Sequence, residues 1–311
     1  ITLPNAAHVS VPAGFSPEDN EVVIQKGEIP TLGENALPHW ELIEKYDITV
    51  IPLNVIIDGK SYQDKIDISL SEVMQAVEDG KKVSTSQPAP TLYKDAFDKL
   101  VSEGATDIIS LSISSTLSGT FQSVNIAAMD FTGAKLHMVD TLTTSVGAES
   151  MALYAIELME EGKTAQEIVD SLMVIRHQGG ILMNFEDLNV LVKSGRMSRA
   201  KALIGNLLRV KPIIQCFDGV VEVIAKKRTE SAVLEYIEEH ILEFLKEEIK
   251  KANKKIKVLI GHVRTGERMN RIMSFFKEKL DFIEIPESKE ITPVIAINLG
   301  YSGFGIAWYY A

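Results

Sequence analysis

The sequence has a single cysteine and no long apolar run. Cys216 stands alone in a chain of 311 residues, which excludes an internal disulfide and a cluster of thiolates around a metal. No apolar stretch approaches the roughly 20 residues of a membrane-spanning helix, and the N-terminus lacks the basic start and apolar core of a signal peptide. We therefore expect a cytoplasmic protein without integral membrane association.

Acidic residues outnumber basic ones, 43 to 32. The formal net charge is −11, and the resulting long-range field repels phosphates, so we expect no nucleic-acid partner. The six histidines lack the i, i+4 spacing of a helical metal site, and the sequence predicts no structural metal.

One segment departs from this acidic character. Basic residues outnumber acidic ones between positions 193 and 228, where they are Lys193, Arg196, Arg199, Lys201, Arg209, Lys211, Lys226, Lys227 and Arg228. Such a run is either a solvated surface or a docking surface for an anionic partner. The sequence leaves both interpretations open.

The length and the 45% apolar content predict two α/β domains. In the first half, strands at Asp107–Ile113 and Leu136–Asp140 alternate with amphipathic helices, which favours a parallel, Rossmann-like sheet. Local signals support this reading: a hairpin turn at Asp58-Gly59 and the capping-box pairs Ser69/Glu72 and Thr164/Glu167. We place the N-terminal domain at residues 1–165, of which residues 1–37 are irregular and atypical.

The second half mixes its patterns. A hairpin turning on Asp218-Gly219 precedes a long charged helix over about Ser231–Ala252. The remaining predicted strands are Gly180–Phe185, Ile256–His262, Val294–Asn298 and Phe304–Tyr309. These elements predict a C-terminal domain, residues 166–311, with a mixed sheet.

Hydroxyl groups are concentrated in a loop that follows a predicted parallel strand. Ligands in such sheets bind beyond the carboxyl ends of the strands, where helix N-termini present free N–H groups. After Ile113 the chain reads Ser-Ser-Thr-Leu and then Ser118-Gly119-Thr120 before a helix. Gly119 permits close backbone approach and the flanking hydroxyls can donate, which suits a carboxylate or phosphate. Ser and Thr are also ordinary helix caps, so both roles stay open.

Two other segments carry weaker signals of the same kind. Thr85 and Ser86 precede a proline-initiated helix, where they are either caps or ligand contacts. Gly195 would allow Arg196 to reach an anion as a bidentate donor.

Catalytic signatures do not accompany these hydroxyl groups. No G-x-S-x-G elbow occurs, and no histidine is tied to Ser118 by spacing. The segment Gly300–Gly305 lacks the Gly-Lys-Ser/Thr of a P-loop and is predicted to be a turn between strands. A binding role is favoured over hydrolysis.

Taken in order, five segments of residues 38–311 resemble the DegV family of fatty-acid-binding proteins, acyl-carrying subunits of bacterial fatty acid kinase. They are Ile48–Leu53 with the Asp58-Gly59 turn, Thr85–Pro88, Leu117–Thr120, Val139–Thr141 and Leu191–Arg196. The resemblance implies two α/β lobes with the acyl chain between them, no cofactor, and a kinase partner that phosphorylates the bound fatty acid.

The resemblance also implies roles for individual residues. The carboxylate-binding hydroxyls of the family fall on Thr85 and Ser118 with the Gly119 amide beside them, and its arginine falls on Arg196. Ser86 and Thr120 extend this set of ligand-binding candidates. Asn298 stands where the family typically has histidine, and a neutral amide can still hydrogen-bond a carboxylate.

Two points stay open at this stage. The Asp-Ser-Thr loop of the family is replaced near residues 31–34, so residues 1–37 are either a rebuilt loop or an extension. The rival functions are an enzyme of the dihydroxyacetone-kinase-like or hydrolase class that uses Ser118, and a small-molecule sensor.

Overall fold

The computed structural model describes residues 46, 48–185, 210–252, 256–264, 266–279, 283–284, 289–301 and 303–310. These residues form an α/β fold with three sheets: one antiparallel, one parallel and one mixed. Residues Pro38–Ala311 cluster as one unit. The division of the chain into domains 1–165 and 166–311 stays a prediction.

The small antiparallel sheet has the strand order β2-β1-β3 and contains β1 (Asn54–Ile57), β2 (Lys60–Gln63) and β3 (Val83–Ser86). Asp58 and Gly59 form the predicted hairpin turn with φ values of 48° and 87°. Both values are positive, as in the type I′ turns that match strand twist. Residues 48–57 form a β-rich run in the sequence, and of these Asn54–Ile57 pair in the sheet.

Helix α1 (Leu70–Glu78) covers this sheet, and its start is the predicted capping box. Ser69 Oγ accepts from the Glu72 amide at 3.3 Å, and the Glu72 carboxylate accepts from the Ser69 amide at 2.8 Å. The second predicted box is also confirmed: Thr164 and Glu167 begin α5 (Ala165–Ile175) in the same way. These reciprocal bonds satisfy orphan donors of the first helical turn.

The parallel pairing predicted for the first half is found between β4 (Asp107–Ser112) and β5 (Lys135–Asp140). The helices around these strands are α2 (Pro90–Ser102), α3 (Thr120–Ala128) and α4 (Val146–Glu160). Tyr93 and Phe97 of α2 pack with Ile108 and Val124 in one apolar cluster. Because β4 and β5 are parallel, the loops that follow them emerge at the same edge of the sheet.

The mixed sheet of the second half runs β10-β9-β12-β6-β7-β8, with β11 also pairing with β9. Its strands are β6 (Gly180–Asn184), β7 (Lys211–Phe217), β8 (Val220–Lys227), β9 (Ile256–His262), β10 (Ile283–Glu284), β11 (Lys289–Glu290) and β12 (Phe304–Tyr310). Helices α6 (Glu230–Ala252) and α7 (Gly266–Lys279) follow β8 and β9. The predicted hairpin is confirmed, with its turn at Asp218-Gly219.

One predicted strand is wrong. Residues 294–298 belong to a helix, α8 (Pro293–Leu299), that has proline in its first turn and ends at Gly300 with a φ of 80°. A short apolar run does not distinguish a buried strand from a buried helix; the proline in the first turn and the positive φ of Gly300 are compatible with the helix, and packing against the small sheet and α1 selects it. The glycine-rich segment after it therefore leads from a helix, not a strand, into β12.

Several other predicted features lie outside the described residues. They are the irregular segment 1–37 and Arg196 with most of the basic segment. The sequence also favours a helix from Pro38 and short helices up to Leu208, and these too lie outside the described residues.

Candidate functional site

An apolar cavity of about 100 Å³ lies where the small sheet, the loops after β4 and β5, helix α8 and the mixed sheet meet. A single buried water needs roughly 10–15 Å³ on the same scale, so the cavity is several times larger than a water site. The described residues that line it are Leu53, Thr85, Ser86, Gln87, Ile113, Leu117, Ser118, Thr144, Met183, Phe185, Val221, Val294, Ile295, Asn298 and Leu299.

Strand β3 delivers two of the predicted site residues, Thr85 and Ser86. They lie on a paired strand and not at a helix start, because α2 begins later, with Pro90 as its first residue. The helix-cap interpretation of these two hydroxyls is therefore wrong. Asn54 on the neighbouring strand donates to Ser86 Oγ and to the Gln87 carbonyl, each at 3.4 Å, and so ties β3 to β1.

The loop over residues 114–120 delivers Ser118 at the start of α3. Ser118 Oγ lies 2.6 Å from Thr120 Oγ1 and accepts from the Thr120 amide at 3.2 Å. Gly119 is the N-cap, and first-turn N–H groups of a helix lack intrahelical acceptors and carry partial positive charge. Ser118 thus both contacts the helix start and lines the cavity, whereas Thr120 is buried behind it.

Gln87 is a cavity residue that the sequence analysis did not select. Its side chain lies over the Cα of Gly119, and its Nε2 donates to Ser123 Oγ on α3 at 3.2 Å. Gln87 therefore joins the β3 segment to the α3 start, the two segments that carry Thr85 and Ser118. In the sequence, its position next to Ser86 was the one feature that could have marked Gln87 as a site residue.

Thr144 is the second residue that the sequence analysis missed. It lies in the loop after β5, which pairs in parallel with β4, so both loops leave the sheet at one edge. The rule that ligands bind beyond the carboxyl ends of parallel strands applied to this loop as well as to the 114–120 loop.

Asn298 reaches the cavity from α8. Its Nδ2 donates to the Val294 carbonyl one turn earlier at 3.0 Å. A side-chain amide has two N–H donors and an acceptor oxygen, so one N–H is left for a ligand. Asn298 can therefore act as a neutral hydrogen-bond donor to an oxygen in the cavity.

Contacts distant in sequence hold α8 at both ends. Asp64 Oδ1 accepts from the Val294 amide at 3.2 Å, and the Tyr301 hydroxyl donates to the Met74 carbonyl at 2.6 Å. Burial raises the pKa of the Asp64 carboxyl, which hydrogen bonds from Thr292 and Val294 partly oppose. Helix α8, which carries Asn298, is thus anchored to α1 and to the residue that follows β2.

The described lining residues carry no formal charge. A carboxylate would be held there by hydroxyl and amide donors and by the start of α3, while the rest of the wall is apolar. Ser118 contacts the Thr120 hydroxyl rather than a basic side chain. Within the described part of the chain, no group of three or more His, Cys, Asp or Glu side chains is placed to hold a metal. None of the helices described is both long and apolar enough to cross a membrane.

Comparison with known proteins places these features in a family. The model of the DegV family, described as an uncharacterised protein of that family, matches residues 37–311. A DegV domain-containing protein of Staphylococcus aureus (strain MRSA252) is 33% identical over 267 residues, which is 86% of this chain and 92% of the relative. Another from strain COL is 30% identical over 275 residues.

The fold is similar to that of solved structures. A DegV family protein from Thermus thermophilus, described by its fatty acid binding, has a TM-score of 0.80 and 28% identity, with 89% of this chain and 96% of that chain covered. DegV from Bacillus subtilis, described as a fatty acid binding protein, has a TM-score of 0.78 and 26% identity over the same shares. By sequence and by fold, the chain belongs to the DegV family.

Proposed function

We propose that this protein binds a long-chain fatty acid in the cavity and presents it to a fatty acid kinase without catalysing a reaction itself. The observation that carries the binding proposal is the meeting of donors from three elements at one apolar cavity: Thr85 on β3, Ser118 before α3 and Asn298 on α8. In this proposal the carboxylate contacts Thr85, Ser118 and the Gly119 amide, with Ser86, Thr120 and Asn298 beside them.

The apolar wall supplies the affinity for an acyl chain. Each methylene removed from water contributes about 0.8 kcal/mol, so a long chain gains most of its binding free energy from side chains such as Leu117, Met183 and Phe185. The polar donors then set the orientation of the ligand. Fatty acid binding by the similar proteins from T. thermophilus and B. subtilis supports the choice of ligand.

The direct test is denaturing extraction of the purified protein followed by mass spectrometry of the released lipids. We expect acyl species in the wild type and much less in the double variant Thr85→Val/Ser118→Ala. Ser102→Ala is the matched control, because the Ser102 hydroxyl donates to the Lys99 carbonyl on the surface of α2, and it should retain the lipid. Wild-type protein that holds no acyl species, even after incubation with oleic acid, contradicts the proposal.

Presentation to a kinase is supported by the family resemblance, which assigns Arg196 to the vicinity of the head group. The test supplies a bacterial fatty acid kinase and ATP to the oleate-loaded protein and measures acyl phosphate. We expect Arg196→Ala to retain oleate and to lose most of the coupling to the kinase. Loss of oleate binding with intact coupling of the residual complex contradicts this role.

The same preparations test the enzymatic alternative that uses Ser118. Without an added kinase, we expect no turnover of acyl esters or of dihydroxyacetone with ATP. Steady turnover that disappears in Ser118→Ala would replace the binding proposal with a catalytic one.

A further inference from the structure

The turn of the β7–β8 hairpin docks against the loops that follow β4 and β5. The Gly219 amide donates to the Leu142 carbonyl at 2.9 Å, and the Gly219 carbonyl accepts from Thr116 Oγ1 at 2.6 Å. Leu142 follows β5 and Thr116 follows β4, so one glycine of a distant hairpin contacts both loops. Thr116 and Gly219 are 103 positions apart in sequence.

The hydroxyl protons in this contact can be assigned. A carbonyl oxygen only accepts, so the Thr116 hydroxyl must use its single proton on Gly219. Ser114 Oγ lies 2.9 Å from Thr116 Oγ1, and it must therefore donate to Thr116. Ser114 is fully buried. A directed chain from Ser114 through Thr116 to Gly219 thus crosses from the 114–120 loop to the hairpin turn.

Asp140 joins the same two loops from the end of β5. Its carboxylate accepts from the Ser115 amide at 3.2 Å and from the Leu142 amide at 3.1 Å. Leu142 has a φ of 56°, a left-handed conformation that a leucine adopts only at a cost in free energy. Surrounding hydrogen bonds, to Asp140 and to Gly219, hold the residue in that conformation.

We infer that Thr116 is a positioning residue for Ser118, an inference that rests on the proposed function of the cavity. The Ser118 amide donates to the Ser114 carbonyl at 3.1 Å, so Ser114 to Ser118 form one hydrogen-bonded turn. Thr116 lies in the middle of that turn and attaches it to Gly219. The hydroxyl of Ser118 is therefore held in the cavity by the contact between its own turn and a hairpin that is about 100 positions away in sequence.

This attachment links the two parts of the binding site. Val221, two residues after Gly219 on β8, lines the apolar wall of the cavity. A fatty acid whose carboxylate contacts Ser118 and whose chain contacts Val221 is thus enclosed by two segments that Thr116 joins. Loss of the Thr116 hydroxyl separates those segments and speeds release of the ligand.

The experiment compares Thr116→Val, which keeps the shape and removes the hydroxyl, with Thr116→Ser, which keeps the hydroxyl. The matched control is Thr106→Val, at an exposed threonine whose hydroxyl donates to Asp107 away from the cavity. Stopped-flow release of cis-parinaric acid gives the dissociation rate. Hydrogen exchange of the segments 114–120 and 217–221 in ligand-free protein reports the attachment without any ligand.

We expect Thr116→Val to speed both release and exchange about three- to tenfold, as for the loss of one hydrogen bond, with little change in the association rate. Thr116→Ser and Thr106→Val should match the wild type. Exchange that is unchanged in Thr116→Val, or equally raised in Thr116→Ser, overturns the inference. Wild-type protein that does not bind cis-parinaric acid counts against the proposed function, and the exchange data then still decide the role of Thr116.

Discussion

The side-chain amide of Gln87 occupies the space above the Cα of Gly119. A Cβ placed on Gly119 would overlap Gln87 Oε1 and crowd the rest of the amide group. Glycine is needed here because of this close approach and not because of its backbone angles, since its φ is −75°. The contact packs the segment after β3 against the start of α3, where Thr85 and Ser118 reach the cavity.

Gly119→Ala should therefore displace Gln87 and break its hydrogen bond to Ser123. We expect the affinity for oleate to fall about tenfold or more, because the two donor segments are forced apart. Isothermal titration calorimetry of delipidated protein measures the change.

The double variant Gly119→Ala/Gln87→Ala provides the control for this prediction. Shortening Gln87 removes the overlap, so the double variant should bind oleate better than Gly119→Ala alone. If instead the affinity loss of the double variant equals the sum of the losses in Gly119→Ala and Gln87→Ala, the Gln87–Gly119 contact does not set the affinity.

Asn298 and Asn125 offer a matched comparison. Each is on a helix and donates through Nδ2 to the backbone carbonyl four residues earlier, at 3.0 Å and 2.9 Å. Only Asn298 is among the cavity-lining residues. We expect Asn298→Ala to weaken oleate binding about three- to tenfold and Asn125→Ala to leave it unchanged. Equal affinities in the two variants would remove Asn298 from the binding site.

His262 is expected to make the stability of the protein fall in mild acid. Burial lowers the pKa of its imidazole below the ordinary value of about 6.5, and Glu290 opposes the shift only in part. In the unfolded chain the His262 imidazole takes up its proton near pH 6.5, whereas in the folded chain it takes up the proton only at lower pH. As the pH falls below about 6.5, the unfolded state therefore binds more protons and the free energy of unfolding decreases.

Urea unfolding of the wild type and of His262→Gln between about pH 7.5 and 5.5 tests this dependence. The variant should have the flatter profile. Parallel profiles for the wild type and His262→Gln would contradict the prediction.

Features that depend on neighbouring residues were predictable. The capping boxes at Ser69 and Thr164 and the hairpin turns at Asp58-Gly59 and Asp218-Gly219 are found as the sequence analysis expects. Each is decided within about four residues, because a cap or a tight turn is closed by local hydrogen bonds. The α/β class with parallel and mixed sheets followed from the alternation of such elements.

Helix α8 shows where local patterns were insufficient. The run from Val294 to Ile297 suits a buried strand as well as a buried helix, and its neighbours decide between the two. Val294 and Ile297 pack with the apolar cluster of the small sheet and α1, and Asp64 binds the Val294 amide from 230 positions away. Asn298 is therefore presented to the cavity by a helix that the sequence alone predicted as a strand.

The sequence by itself determined which chemical groups are available for binding: hydroxyls at Thr85, Ser86 and Ser118, a glycine at position 119, and a neutral amide at position 298. Only the tertiary structure decided that Thr85, Ser86, Ser118 and Asn298 line one apolar cavity, that Gln87 closes over Gly119, and that Thr116 is attached to Gly219. The physical reason is the separation along the sequence of the residues that make each contact. Caps and turns are closed by local bonds, whereas these contacts join segments tens to hundreds of residues apart, and packing of the whole chain selects them.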